Sequence, residues 1–426
     1  MKTTVKVFCM VILAGAWYPI QTMAFTRADP GQGAVSWSQQ MPRAPHRIYT
    51  GKELCREQWG IVMSQMATYG QLSFKEAQNI AAFLGASSKP CGDSWAAKNV
   101  LLAGYGAVTW NRDNDEGETT IDSLYAQHIF VRPSEHTLVQ AELEFAKPLD
   151  PAGDLTFEGL EYLNLSFFPG NHVQVSLGKL LSDFNYSNLR LHPVWMNLAV
   201  TQPWAAGLVP RVTMGGKIGV HGKVDGAIIG GTLFGGNDSE TKYLEAQQVF
   251  GGRAGAYLPA RGLEFGVSMA ETDLNGDQTV YGAYGIKRFT RAKLEGEFAA
   301  TSDQTTYWLG VTVRPWQSRG GWLSRFSMVT RYQEISVDQE AGGDAHEADE
   351  DHAAGLRAAS SAGGEEEEGE GHHSALPAAD AKEWYFGVMY DHPTALERLH
   401  LRFQAGYVKG SGAASDGWRA QAAFHW

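Results

Sequence analysis

From residue 99 onward the chain alternates apolar and polar positions with a period of two. Between Thr137 and Phe145, Val139, Ala141, Leu143 and Phe145 share one face, and Gln140, Glu142 and Glu144 the other. Residues 399–405 repeat the pattern, with Leu399, Leu401, Phe403 and Ala405 set against His400, Arg402 and Gln404. Lys293 to Phe298 does so again, Leu294 and Phe298 opposing Lys293, Glu295 and Glu297. Such alternation marks strands whose two faces meet different surroundings. Segmenting at turn signals predicts strands near 99–110, 121–132, 136–147, 155–168, 172–181, 211–221, 224–235, 245–257, 262–271, 278–289, 293–301, 305–315, 322–337, 382–391, 397–409 and 416–426. The fold class expected is all-β: a transmembrane antiparallel β-barrel of about 16 strands, apolar toward lipid and polar toward a lumen.

Connection lengths support that count. If the first strand runs outward, even-numbered connections are short periplasmic turns. Pro133-Ser134-Glu135, Pro169-Gly170-Asn171, Gly222-Lys223, Pro259-Ala260-Arg261 and Thr290-Arg291 fall there. The two longest gaps, 182–210 and 338–381, fall on odd-numbered, external connections. A wrong count between those gaps would break this parity.

The ends of the chain agree with export to an envelope surface. Lys2 and Lys6 precede an apolar stretch from Val7 to Ala16, and Thr22-Met23-Ala24 places small residues for cleavage after Ala24. That stretch is short of the roughly 20 residues a spanning helix needs, so a cleaved signal peptide at 1–24 is expected. The chain closes on Phe424-His425-Trp426, the terminal aromatic with which outer-membrane barrels finish. The expected location is therefore the outer membrane of a Gram-negative bacterium.

Composition changes the picture in two places. Mean hydropathy is −0.27, yet Gly 49, Trp 13 and Tyr 16 are generous, as suits a barrel with aromatics at both interfaces. The formal net charge is −12, and it is local: residues 340–371 hold eleven carboxylates against Arg357 alone. This acidic run lacks any hydrophobic period, so it is expected to be a disordered external loop. Within it His346, His352, His372 and His373 stand among carboxylates, a weak site for Zn²⁺, Cu²⁺ or Ni²⁺ or simply a solvated surface. Asp273-Leu274-Asn275-Gly276-Asp277 has Ca²⁺-like oxygen spacing but reads as a hairpin turn.

The 182–210 gap runs Ser182-Asp183-Phe184-Asn185-Tyr186-Ser187-Asn188-Leu189-Arg190-Leu191-His192-Pro193-Val194-Trp195. Two readings stand: a segment folded into the lumen as a constriction, with Asp183, Arg190 and His192 setting the field, or an external loop packed on Phe184 and Trp195. The residues expected to line the pore are Glu142, Glu144, Lys179, Asp183, Arg190, His192, Glu295 and Glu297. The prominence of glutamate among them predicts a weak preference for cations.

Several segments together resemble the phosphate-selective porin-like family. They are Gly104-Tyr105-Gly106, Ala141-Glu142-Leu143-Glu144-Phe145, Leu177 to Phe184 with Leu191 to Asn197, and Gly251 to Gly255 before Leu263 to Ser268. The resemblance covers roughly residues 99–426. It implies a sixteen-stranded barrel that passes small solutes or ions.

After a linker at 25–50, residues 51–97 form a small helical module. Trp59, Met63 and Met66 make one apolar stripe, Gly70 stops the helix, and Ser73 with Glu76 is a capping box for a second helix bearing Ile80, Phe83 and Leu84. This pattern resembles the C-terminal half of a c-type cytochrome, and the whole chain then resembles outer-membrane cytochrome–porin fusions. Haem attachment needs Cys-x-x-Cys-His, where this chain has Cys55-Arg56-Glu57-Gln58-Trp59. No covalent haem and no other cofactor is expected. Met63 and Met66 read as core packing, and Cys55 and Cys91 as a disulfide closing the hairpin. The module is read as a haem-free relic, serving as a plug or as a periplasmic docking element.

Three functional readings follow: a passive channel, an electron-transfer barrel using a partner's haem, and a barrel that displays a metal-capturing loop. No spacing of Ser, His and Asp resembles a hydrolase constellation, so no enzymatic activity is expected. The partners expected are outer-membrane lipids, small solutes or ions, a periplasmic cytochrome and, as an assembly, a homotrimer; nucleic acid is not among them.

Overall fold

The structure is a computed structural model that describes residues 54–68, 73–115, 117–148, 156–190, 203–238, 248–273, 278–316, 321–337, 379–393, 400–412 and 414–425. The strands are β1 (Val100–Asp113), β2 (Thr119–Ser134), β3 (Thr137–Pro148), β4 (Thr156–Phe167), β5 (Val173–Leu181), β6 (Val212–Val224), β7 (Ala227–Asp238) and β8 (Gln248–Leu258). They continue as β9 (Leu263–Thr272), β10 (Gln278–Arg288), β11 (Ala292–Ala300), β12 (Gln304–Val313), β13 (Phe326–Val337), β14 (Ala381–Pro393), β15 (His400–Gly412) and β16 (Gly417–His425). Each pairs antiparallel with its neighbours in sequence. The sheet closes where β1 meets β16, in a register running from Tyr105↔His425 to Asp113↔Gly417. Closure leaves no sheet edge, which is the condition for strands to cross a bilayer.

Sixteen strands are observed where sixteen were expected, with ends displaced by up to four residues. Three connections differ from expectation. The β6–β7 turn is Asp225-Gly226, not Gly222-Lys223: both residues have positive φ, 48° and 81°, and a two-residue turn of this hand matches the twist of the strands it joins. The 314–325 connection lies at the end of the short turns yet is longer, holding a 3₁₀ turn at Trp322–Arg325. The β11–β12 connection at 301–303 is short although it lies at the opposite end.

The two faces of the wall differ as the alternation requires. Leu163, Leu165, Phe265, Val267, Phe386 and Val388 are exposed on the outside, while Gln140, Ser166, Gln174, Ser176, Gln404 and Gln421 are buried on the inside. Aromatic rings border the apolar outer band at both ends. Tyr332 lies 4.5 Å from Trp384, and Tyr407 5.0 Å from Trp418, at the end of the long connections; Phe326 lies 4.7 Å from Tyr390 at the end of the short ones. An apolar band between two aromatic rows is the surface a barrel presents to lipid. Among the described residues no helix is long and apolar enough to cross a membrane.

Two helices precede the barrel, α1 (Gln58–Thr68) and α2 (Phe74–Ala86), followed by a short α3 (Trp95–Asn99) that leads into β1. Ser73 caps α2: its hydroxyl accepts from the Glu76 amide, and the Glu76 carboxylate accepts from the Ser73 amide. Cys55 and Cys91 are joined by a disulfide that ties the start of α1 to the segment after α2.

Candidate functional site

The candidate site is the lumen, and two segments pack against the inner face of its wall. The first is the connection between β5 and β6. Ser182 to Asn188 are all buried, although a connection at a barrel rim would ordinarily lie in water. The segment passes inside the wall, touching strands far from the two it joins. Asp183 pairs with Arg253 of β8 at 2.9 Å. The Asn185 amide donates to Ser268 of β9 at 2.9 Å, and its side chain donates to the Phe298 carbonyl of β11 at 3.0 Å. Tyr186 stacks against Tyr284 of β10 at 6.1 Å. Beyond residues 191–202 the segment continues as a 3₁₀ turn at Trp204–Leu208, where the Trp204 amide donates to Gln333 of β13 at 3.3 Å. Trp204 also packs on Ile335 and Ala381. Ser182 and Arg211 then close the segment at its base through an amide-to-carbonyl bond of 2.8 Å.

The strongest anchor is Glu297 on β11. Its carboxylate accepts from the Ser187 amide at 2.6 Å and from the Trp308 indole at 2.8 Å, and also from the Tyr186 amide and the Ser187 hydroxyl. The side chain therefore takes up the free amides at the start of α4 (Ser187–Arg190), where an anion is favoured. Around it Phe184, Tyr186, Leu208 and Val209 pack on Phe234, Val249, Ile286 and Trp308, so the anchor is shielded from water. Burial opposes the charge of Asp183, but Arg253, Lys217 and the Thr232 hydroxyl together hold its carboxyl below the ordinary carboxylate range.

The second insertion is the helical hairpin. Leu54, Trp59, Ile61, Met63, Phe74, Ala77 and Ile80 form one apolar cluster with Phe130 of β2, Leu138 of β3, Phe168 beside the β4–β5 turn and Ile228 of β7. Phe74 stacks on Phe168 at 4.3 Å. Around the cluster, Lys223 of β6 lies 3.5 Å from Glu76, the Lys75 amide donates to the Asn171 carbonyl at 3.3 Å, and Arg132 of β2 donates to Gln78 at 3.3 Å. Arg132 reaches Gln78 by passing directly over Gly60, where a Cβ would lie 2.1 Å from its guanidinium.

The residues expected to line the pore are distributed as follows. Glu142 and Glu144 of β3 and Glu295 and Glu297 of β11 all face inward and are buried, but they are engaged rather than free. Glu142 accepts from the Tyr105 hydroxyl at 3.0 Å and meets His128 at 3.2 Å. Glu144 neighbours Glu161, which Arg211 holds at 3.0 Å. Glu295 pairs with Lys293 at 2.7 Å, and Glu297 is the anchor just described. Lys179 is a correction. In β5 the inward positions are Gln174 and Ser176, so Lys179 falls on the outward register, opposite exposed Met214 of β6. A lysine there lays its stem on the apolar face and turns its ammonium to the rim. The Arg190 side chain, His192, and the metal candidates His346, His352, His372 and His373 lie outside the described residues.

Inward basic groups were overlooked at the sequence level. Arg253, Arg288 and Arg331 answer Asp183, Glu264 and Glu383 at 2.9, 3.4 and 3.1 Å. Each sits on an inward register position that alternation alone identifies. Their pairing with acids many residues away has no sequence signal.

In structural comparison the chain is similar to OprB of Pseudomonas putida, with 12% identity over 77% of this chain and 94% of that one and a TM-score of 0.50. Salmonella typhi OmpF in complex with daunomycin is 10% identical over 77% and 98% (TM-score 0.49), and an anion-selective porin from Comamonas acidovorans 14% identical over 76% and 98% (TM-score 0.48). The barrel has the sixteen-stranded fold of the outer-membrane porins. No family model matches the chain, and no curated protein matches it in sequence.

Proposed function

We propose that the protein is an outer-membrane channel through which small solutes or ions diffuse passively, narrowed by the β5–β6 segment. One observation carries this reading. The segment leaves the wall, contacts the inward faces of β8 to β14, and is fixed there by buried polar anchors. A passage whose width is set by an ordered segment is what solute selection by size and polarity requires. The apolar outer band with its two aromatic rows supports placement in a bilayer. The signal-like N-terminus supports export.

A weak cation preference rests on a different basis from the four glutamates that first raised it. Each of those carboxylates has a hydrogen-bond donor or a base beside it. What supports the preference is the acidic run at 340–371, which concentrates counter-ions near its own mouth. The effect fades as the Debye length shrinks from roughly 10 Å at 0.1 M salt to about 3 Å at 1 M.

Single-channel recording of the purified protein in a planar bilayer tests both parts. The expected result is discrete ohmic steps, with reversal potentials slightly favouring cations in dilute salt and not in concentrated salt. Absence of steps from folded, heat-modifiable protein would remove the channel reading. A clear anion preference would remove the cation reading alone.

A further inference from the structure

We infer that the disulfide-closed hairpin is a resident plug, seated on a dry patch of the inner wall built to receive it. This rests on the channel reading for its consequence, though not for its geometry. Nearby inward positions on β3 and β5 are polar, as Gln140, Glu142, Gln174 and Ser176 show. Toward the short-turn end, the inward positions of β1, β2, β3, β7 and β8 instead carry Leu101, Ala103, Phe130, Leu138, Ile228 and Tyr257. In a water-filled vestibule these side chains would be wet. Here Phe130, Leu138 and Ile228 are no more than 3% exposed, because the hairpin covers them.

The hairpin needs the wall as much as the wall needs the hairpin. Two helices joined by one disulfide are too small to enclose a core of their own. Met63, Ala77 and Ile80 are buried in the same cluster as the wall residues. The wall has become the second half of the module's core. A docking element for a separate protein would have to leave this apolar face free, and it is not free. Polar contacts then fix the register: Arg132 over Gly60 to Gln78, Lys223 to Glu76, and Lys217 to the Thr68 carbonyl at the end of α1. The disulfide keeps the two ends of the hairpin together, so the plug behaves as one body.

The test uses the full chain and three sets of variants. Ala77→Asp with Ile80→Asp places two carboxylates in the dry interface and should undock the plug. Phe74→Cys with Phe168→Cys joins two stacked rings' positions and should lock it in place. Ile228→Cys, alone or combined with the Asp pair, reports wall exposure to a water-soluble thiol reagent, with labelling mapped by mass.

The expected results are labelling of position 228 at least tenfold faster in the undocked protein, single-channel conductance at least twofold higher in it, and conductance of the locked protein equal to wild type. Equal labelling with and without the Asp pair, in protein that still runs as a heat-modifiable barrel, would overturn the plug. Fast labelling with unchanged conductance would also overturn it, since the hairpin would then obstruct nothing. A locked protein with markedly lower conductance would show a plug that normally moves, contrary to a resident one. If no variant conducts while the labelling contrast holds, the channel reading fails and the plug stands.

Discussion

The hairpin and the β5–β6 segment both pack on the inner wall and are held by opposite means. The hairpin is fixed mainly by area: an apolar helical face on an apolar patch of wall, with a few polar contacts at its border. The β5–β6 segment is fixed mainly by direction: a carboxylate with four donors, an ion pair and side-chain-to-backbone bonds across strands distant in sequence. Burial energy spreads over many atoms, so an apolar dock weakens in proportion to what is removed. A polar anchor concentrates its contribution, and removing one partner leaves the others buried without theirs. The segment that sets channel width should therefore fail at single residues, and the plug only after several changes.

Glu297→Ala should have the largest effect. It strands the Tyr186 and Ser187 amides, the Ser187 hydroxyl and the Trp308 indole inside the barrel. At roughly 1–3 kcal/mol for each unsatisfied buried group, the loss is on the order of 4 kcal/mol after partial relaxation. The segment should detach, seen as proteolysis within 183–208 and a lower unfolding temperature. Glu297→Gln keeps two acceptor sites on one oxygen and should fall between. An alanine variant as protease-resistant as wild type would show that the apolar packing around Phe184 and Trp308 holds the segment alone.

Arg253→Ala should come next. It leaves Asp183 buried without its closest cation, a loss of about 3–5 kcal/mol in comparable buried pairs. Lys217 beside Asp183 softens this, so the measured change in unfolding free energy should lie at the lower end. Because Asp183 has a depressed carboxyl, its contribution is fully present above the unfolded value of about 3.9 and is lost only as pH falls through the lower folded value. Wild-type anchoring should therefore be unaltered between pH 7 and pH 5. A loosening within that window would point to another titrating group.

Replacing Cys55 and Cys91 together by Ser should remove roughly 2–4 kcal/mol from the hairpin while leaving the barrel unchanged. Protection of hairpin amides against hydrogen exchange should fall, and that of β9 to β16 should not. The smallest effect belongs to Gly226→Ala, which puts a side chain at φ 81° in the β6–β7 turn and should lower stability by about 1 kcal/mol without touching either insertion.

The barrel was legible in the sequence because period two extends over some three hundred residues and most connections alternate short and long, those after β11 and β12 excepted. Strand ends were less so. Asp225-Gly226 is a strong two-residue turn signal that the nearby Gly222-Lys223 masked, and the strands continue through Lys223. Lys179 reads as lumen-facing from its charge and its closeness to Asp183, whereas its parity in β5 turns it outward. The hairpin's seat had a trace in the sequence: Phe130 and Leu138 are apolar at inward positions next to polar His128 and Gln140. Read alone, each is only a break in alternation. The Glu297 anchor had no trace, since Ser187 and Glu297 are brought together only when the barrel closes and the segment turns inward.

On the proposed function the lumen is a solute path whose width the β5–β6 segment sets. The most direct test is single-channel conductance of wild type and Glu297→Ala, recorded side by side in a planar bilayer at 1 M salt. Discrete steps are expected from wild type, and steps at least twice as large, with greater open-state noise, from the variant. Steps of equal size, in a variant whose 183–208 region has become protease-sensitive, would contradict it.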